Sequence, residues 1–500
     1  APRLLETVMN LLSAFTEWIS YNVNYIPYIL SVIAIALKSD DALVVVSATM
    51  ALKIITPECQ LELLPYAPQI VALCEEHLNY PNLNYKDKAR LMYALGTVLS
   101  VLPMEVIMQT IERILVPILV EAEKILSMPE SDDKVRVHIT GILLILANLF
   151  SKLDVNLKGT DDEEGDQLVS KNKMIKSAKN NIKPQPLYII FEKVGNCGTQ
   201  LICGPSNRAN LSHFLLFSPQ VLPIFCMIVS KYCDNEEVTE NLCECIKKSV
   251  ITLLDDIQPL VGNILQLLLH LYRASKSIHV LKISRQIFTL FHSVPNLVAS
   301  LQDYFLAITQ ITTEEFHYNF RENTYLVQVF YEECTAILKK SPIIGSNPQF
   351  DFSNIYTFAI QGIALPEKPT IHQCAAFITE FLNQGRNNES FHKLISDRFD
   401  TLVMQIFAII GGICGSPNFA VDYMVDVIMA LNSKYSDSFS RVLNAIVETE
   451  AYPTTFVTRE HKIALVKTIL SLRNNKRKLK DTVKEFSSQC RGLYGVDKKN

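Results

Sequence analysis

The chain has 500 residues, 49% apolar and 20% charged, with a net charge of −4. That length is too great for one compact core, and that composition excludes a disordered chain. The mild negative charge argues against a bulk nucleic-acid binder, which needs a broad basic surface.

The sequence opens inside a helical pattern at Arg3-Leu4-Leu5-Glu6, with no signal-peptide pattern, and so reads as a fragment or as lacking an N-terminal portion. The apolar runs Ile26 to Leu37 and Gly141 to Phe150 fall short of the roughly 20 residues a bilayer span needs, so they predict buried helices. Asp41, Asp87 and Asp133 lie 46 residues apart, and each opens an amphipathic pattern. Asp87-Lys88-Ala89-Arg90 and Asp133-Lys134-Val135-Arg136 are near copies. Ala48, Ala94 and Thr140 follow in register, then Leu52, Val98 and Leu144. After the third step, Val135, Ile139, Ile142, Leu146, Leu149 and Phe150 share one face, and Asp132 or Asp133 is placed to cap the helix. Val44-Val45-Val46 is β-branched but sits inside helical periodicity and is read as helix. Breaks are expected at Pro57, Pro81, Pro129, Pro295 and Pro366.

A polar segment interrupts the pattern at 155–185. It carries an acidic cluster, Asp161, Asp162, Glu163, Glu164 and Asp166, then a basic one, Lys171, Lys173, Lys176, Lys179 and Lys183. This reads as a charged flexible loop. An irregular insert near 195–218 follows, with Gly198 and Gly204-Pro205. Beyond it, helices are expected to open near Glu236, Ser277, Asn323, Thr370 and Asn418, again at steps in the forties. The expected fold is all-α, an α-α superhelix of the HEAT-repeat kind and similar to ARM repeats. It has about twenty helices and an extent on the order of 100 Å. HEAT repeats are assigned to 1–154 and 186–500, as one continuous solenoid.

Twelve scattered Cys, mostly in apolar patterns, predict reduced buried thiols and an intracellular compartment. Cys243-Glu244-Cys245, with Cys226 and Cys233, lacks the paired spacing of a structural zinc site. Gly411-Gly412-Ile413-Cys414-Gly415 has no preceding strand and no Lys-Ser/Thr, so it reads as close helix packing or a helix end rather than a phosphate loop. Asp255-Asp256, before Pro259, reads as a turn or N-cap, with contact with a basic partner the alternative. The lone histidines His138, His270 and His372 form no catalytic set. No catalytic residue, cofactor or metal is expected, and the chain is read as a non-enzyme. The basic run Arg473, Lys476, Arg477, Lys478, Lys480 and Lys484 is the main candidate for partner contact. It is a solvated helix face or a patch for an acidic protein partner, with nucleic acid a remote third reading because no aromatic residues interleave the run. Asp161, Asp162, Glu163 and Glu164 are a second candidate for partner contact.

Four stretches carry a family resemblance: NLFSKLDV at 148–155, KKSVITLLDDIQPLV at 247–261, LPEKPTIHQCAAFITEFL at 365–382, and KRKLKDTVKEFSSQCRGLYG at 476–495. As an ordered set they resemble the importin-13 type of the importin-β superfamily, with transportin-3 a near relative. The resemblance implies a nuclear transport receptor that shuttles between cytoplasm and nucleus through the nuclear pore. It implies Ran-GTP binding, folded protein cargo held on a concave face, and contact with Phe-Gly nucleoporins. Cargoes implied for this type are a Mago-containing heterodimer, the SUMO-conjugating enzyme and a translation initiation factor. No direct nucleic acid and no membrane insertion are expected. The match is to a C-terminal half, so the repeats that would mainly bind Ran lie outside this sequence. Gly195 to Ser218 is extra relative to the family. The competing reading is a HEAT-repeat scaffold that assembles a complex without Ran.

Overall fold

A computed structural model describes residues 2–80, 83–128, 133–153, 221–347, 349–413, 418–472 and 475–493. The loop and insert expected at 155–185 and 195–218 therefore lie outside the described residues, as do Pro81 and Pro129. Among the described residues there are 21 α-helices and no strand. The chain divides into two compact units, Ala1–Ser275 and Lys276–Asn500.

The first unit holds α1 (Pro2–Ala14), α2 (Thr16–Tyr21), α3 (Ile26–Leu37), α4 (Ala42–Glu58), α5 (Ala67–Leu78), α6 (Tyr85–Leu99), α7 (Met104–Leu126), α8 (Asp133–Phe150), α9 (Val221–Tyr232), α10 (Glu236–Leu253) and α11 (Gln258–Ser275). Helices α1, α4, α6, α8 and α10 lie side by side in one tightly packed row. A looser second row backs it, with α3 beside α5, and α7 beside α9 beside α11. Pairs such as α3–α4, α5–α6 and α7–α8 join the rows. This is the two-layer stack of helix pairs that a repeat in the forties predicts.

The second unit repeats the plan with α12 (Ile278–Phe291), α13 (Pro295–Asn319), α14 (Thr324–Lys340), α15 (Ser353–Gly362), α16 (Lys368–Gln384), α17 (Glu389–Gly411), α18 (Ala420–Lys434), α19 (Ser436–Glu448), α20 (Arg459–Ser471) and α21 (Lys476–Cys490). Its tight row is α12, α14, α16, α18 and α21, with α13, α15 and α17 behind. The expected openings near Glu236, Ser277, Asn323, Thr370 and Asn418 fall within two residues of the starts of α10, α12, α14, α16 and α18.

The 46-residue step marks the tight row, but its three aspartates do different work. Asp41 is the N-cap of α4 and accepts from Leu43 N at 2.9 Å. Asp87 is the third residue of α6, whose cap is Asn84. It is buried, and it accepts from Thr49 Oγ1 on α4 at 3.0 Å and from Arg90 at 2.6 Å. Asp133 is the first residue of α8, exposed, and paired with Arg136 at 3.0 Å. So one of two near-copied tetrapeptides ties neighbouring repeats together, and the other lies on the surface.

Close packing of the row depends on glycine. A Cβ on Gly141 of α8 would fall 2.2 Å from Tyr85 Cγ on α6, so only glycine admits that ring. The last carbonyls of several helices, which have no partner within their own helix, are capped by side chains from a neighbouring helix. Thr252 Oγ1 donates to Phe150 O at 2.9 Å, Gln384 Nε2 to Leu338 O at 2.6 Å, and Asn432 Nδ2 to Ile469 O at 2.7 Å.

The expected breaks at Pro57, Pro295 and Pro366 all fall at helix boundaries. Pro57 lies in the last turn of α4, and Pro295 opens α13 as its first residue. Pro117 sits inside α7 without ending it. Pro295 costs its helix little, because an N–H at the first position has no partner within the helix in any case. Val44-Val45-Val46 is helical, as periodicity predicts. Among the described residues, no helix is long and apolar enough to cross a membrane.

Candidate functional site

The tight row of the second unit ends in α21, where the basic run predicted for partner contact is found. Asn475 opens this helix by accepting from Lys478 N at 3.0 Å. Leu479, Val483, Phe486 and Cys490 recur at three- and four-residue steps and are buried. That burial turns Lys476, Lys480 and Lys484, spaced by four, along α18. Lys476 pairs with Asp426, and both Lys480 and Lys484 reach Asp422, at 3.2 and 2.9 Å. Burial pushes the Asp422 carboxyl up, but the two ammonium groups outweigh it and hold the group below its usual value. Half of the predicted run therefore closes a seam between α18 and α21.

Arg477 and Lys478 stay exposed, with no ion pair among the described residues. Arg473 lies outside the described residues, and so do Asp161, Asp162, Glu163 and Glu164. Sequence reading missed the acidic partners on α18. Their spacing was the available signal: Asp422 and Asp426 are four apart, as are the three lysines they meet.

Beside this seam, α14, α16, α18 and α21 line an open groove of about 500 Å³. Its walls carry Lys339, Glu380, Asn383, Tyr423, Asp426 and Lys476. His372 packs against Tyr423 with ring centroids 5.0 Å apart. Both signs of charge are present, with an aromatic wall. Such a surface suits polar, orienting contacts with a protein.

The tail beyond the lysines has a structural task. Ser487 Oγ donates to Ile410 O at 2.6 Å, and Arg491 Nη2 approaches Ile409 O at 3.4 Å. Together they cap α17, whose following residue, Gly412, is left-handed at φ +77°. The Gly411-Gly412 pair is thus a helix end. Cys243 and Cys245 are both buried, and burial raises both thiols. Among the described residues, no group of His, Cys, Asp and Glu is gathered as a metal-ligand set.

Comparison with known proteins agrees with this architecture. A family model described as the importin 13 repeat matches residues 363–439, which take in α16, α17 and α18. Importin-13 of Mus musculus is 28% identical over 497 residues, covering 99% of this chain and 47% of that protein. The Homo sapiens and Gallus gallus importin-13 proteins are 27% and 25% identical over the same length. The chain thus spans about half the length of the curated relatives it matches. A solved structure described as importin13 in its cytosolic state covers 99% of this chain and 50% of its own, with a TM-score of 0.79 and 21% identity. That likeness supports the same α-solenoid fold.

Proposed function

We propose that this chain, importin-13-like along its whole length, is the cargo-holding arch of a nuclear transport receptor of the karyopherin-β class. The observation that carries the reading is the extent of the similarity: it runs through 99% of the chain rather than one repeat. The fold supports it, because rows of paired helices expose long continuous surfaces suited to holding another macromolecule. The chain acts as a transport receptor and not as an enzyme.

In this reading the receptor carries folded proteins through the pore, contacts Phe-Gly nucleoporins and moves between cytoplasm and nucleus. Ran-GTP binds mainly through repeats outside this sequence and sets when cargo is held. Cargo and Ran-GTP are then linked by one coupling free energy, which must be reciprocal. Cargoes of the kinds named by the resemblance are the first to try: a Mago-containing heterodimer, the SUMO-conjugating enzyme and a translation initiation factor. The open groove beside α21, with Arg473, Arg477, Lys478 and the seam lysines Lys476, Lys480 and Lys484, is the proposed contact surface. Asp161, Asp162, Glu163 and Glu164 are proposed for partner contact on charge alone.

The test is affinity purification of the tagged protein from cells, followed by elution with Ran in its GTP or GDP form. Import cargo is expected to leave with the GTP form only. Equal release by both forms, or by neither, would falsify Ran control and leave a scaffold.

A further inference from the structure

The seam between α18 and α21 holds more positive charge than it cancels. Among the described residues, Lys476, Lys480 and Lys484 pair only with Asp422 and Asp426. Asp422 serves two of the three, so one ammonium charge of the stripe is left over. The same helix opens with Lys476, Arg477 and Lys478 and has no acidic residue in its first turn. Positive charge at that end opposes the helix dipole, so helix stability does not account for the run.

Lys476 is the seam lysine that also lines the groove. Across from it, Lys339 lines the groove from α14 and has no ion pair among the described residues. Between them, α16 and α18 present the small side chains Ala375, Ala376, Thr379 and Ala430, which leave room for a partner's chain. The two carboxylates of the groove are already engaged. Asp426 holds Lys476, and Glu380 accepts from Gln384 Nε2 at 2.8 Å. Both members of the Lys476–Asp426 pair are about half exposed, so the pair is weak and open to exchange. A carboxylate entering the groove can take the Lys476 ammonium from Asp426, which water then solvates. Lys339 is there to receive a second carboxylate.

We propose that this groove docks an acidic segment of a protein partner, and that Asp426 is its internal competitor, exchanged at Lys476 for a carboxylate of the ligand. The proposal rests on reading the groove as a contact surface; it adds the chemistry of the occupant and a brake on its affinity. Charge complementarity sets the class. Lys339, Lys476, Arg477 and Lys478 offer positive charge at the groove and its rim, with Glu380, Asp481 and Glu485 set among them. A long polyanion meets those acids in succession, and the net charge of −4 opposes it further. A short run of Glu or Asp can place its carboxylates on the cations and its backbone amides against Glu380, Asn383 and Ser433.

The experiment is fluorescence anisotropy on the full chain with a labelled peptide of alternating Glu and Ser, and with its Gln-Ser counterpart as control. The Glu peptide is expected to bind at low salt and to weaken as salt is added. Lys339→Gln with Lys476→Gln should weaken it about fivefold, and Asp426→Asn should tighten it roughly twofold to fivefold, the range that one surface ion pair supplies. Lys339→Gln alone breaks no ion pair of the seam, so its expected loss of about twofold separates lost charge from a loosened helix. Thermal unfolding of each variant checks that the chain remains folded. No binding of the Glu peptide at low salt, equal binding of the Gln peptide, or unchanged affinity in the Lys339→Gln variant overturns the proposal. So does an oligothymidylate that competes as well as the Glu peptide, or an Asp426→Asn variant that binds no tighter than the parent. No Ran is present in this assay, so its failure is separable from failure of the transport reading.

Discussion

Glu333 on α14 is 1% exposed, and neither carboxylate oxygen has a hydrogen-bond partner among the described residues. Burial raises its carboxyl well above the ordinary range; Arg285 opposes this, and Glu332 adds to it. The Arg285 guanidinium is already paired with Glu332 on the same helix as Glu333. Burial therefore favours the protonated form of Glu333 in the folded chain. Its folded value lies above its unfolded value of about 4.3, so its contribution is full below that pH and is lost as pH rises toward the folded value. Glu333→Gln removes the dependence. Melting temperatures from pH 5 to 8 should show the variant gaining on the parent as pH rises. A constant gap across that range would mean that Glu333 ionises in place. Sequence reading did not single out Glu333, because Tyr331-Glu332-Glu333-Cys334 does not show which glutamate turns inward.

At the scale of helices, the tight row brings backbones closer than side chains would allow. Gly141 and Gly262 show the difference. A Cβ at 141 overlaps the Tyr85 ring, whereas a Cβ at 262, in α11, meets nothing within 4 Å. Gly141→Ala should destabilise by roughly 1–3 kcal/mol through overpacking. Gly262→Ala should stabilise by about 0.5–1 kcal/mol by restricting the unfolded chain and improving helix propensity. Urea titration of both variants checks the signs. Equal effects would mean that α6 and α8 do not pack closely at position 141. The same contrast separates Asp87 from Asp133. Their tetrapeptides are near copies, and only packing reveals that one is buried between repeats.

At the scale of the molecule, helices touch mainly their neighbours in the stack, so stability is a sum of local units and their interfaces. A change in the seam between α18 and α21 should therefore stay in its own unit. Asp422→Asn removes the carboxylate shared by Lys480 and Lys484. It should raise amide hydrogen exchange in α18 and α21 and leave α4 to α10 unchanged. A rise through both units would show that the two open together.

The sequence by itself determined the all-α class, the period in the forties, most helix starts and the resemblance to one receptor type. These follow from local chemistry: apolar spacing selects the buried face, and capping residues mark the ends. It also singled out the basic C-terminal run. Only the tertiary structure decided what those charges meet. Lys476, Lys480 and Lys484 are held by α18, while Lys53 and Lys152, ninety-nine residues apart in sequence, converge on Tyr93. The physical reason is that partner choice depends on which helices the stack brings side by side. Periodicity names the inward face of a helix, but the neighbour that covers it is set by packing.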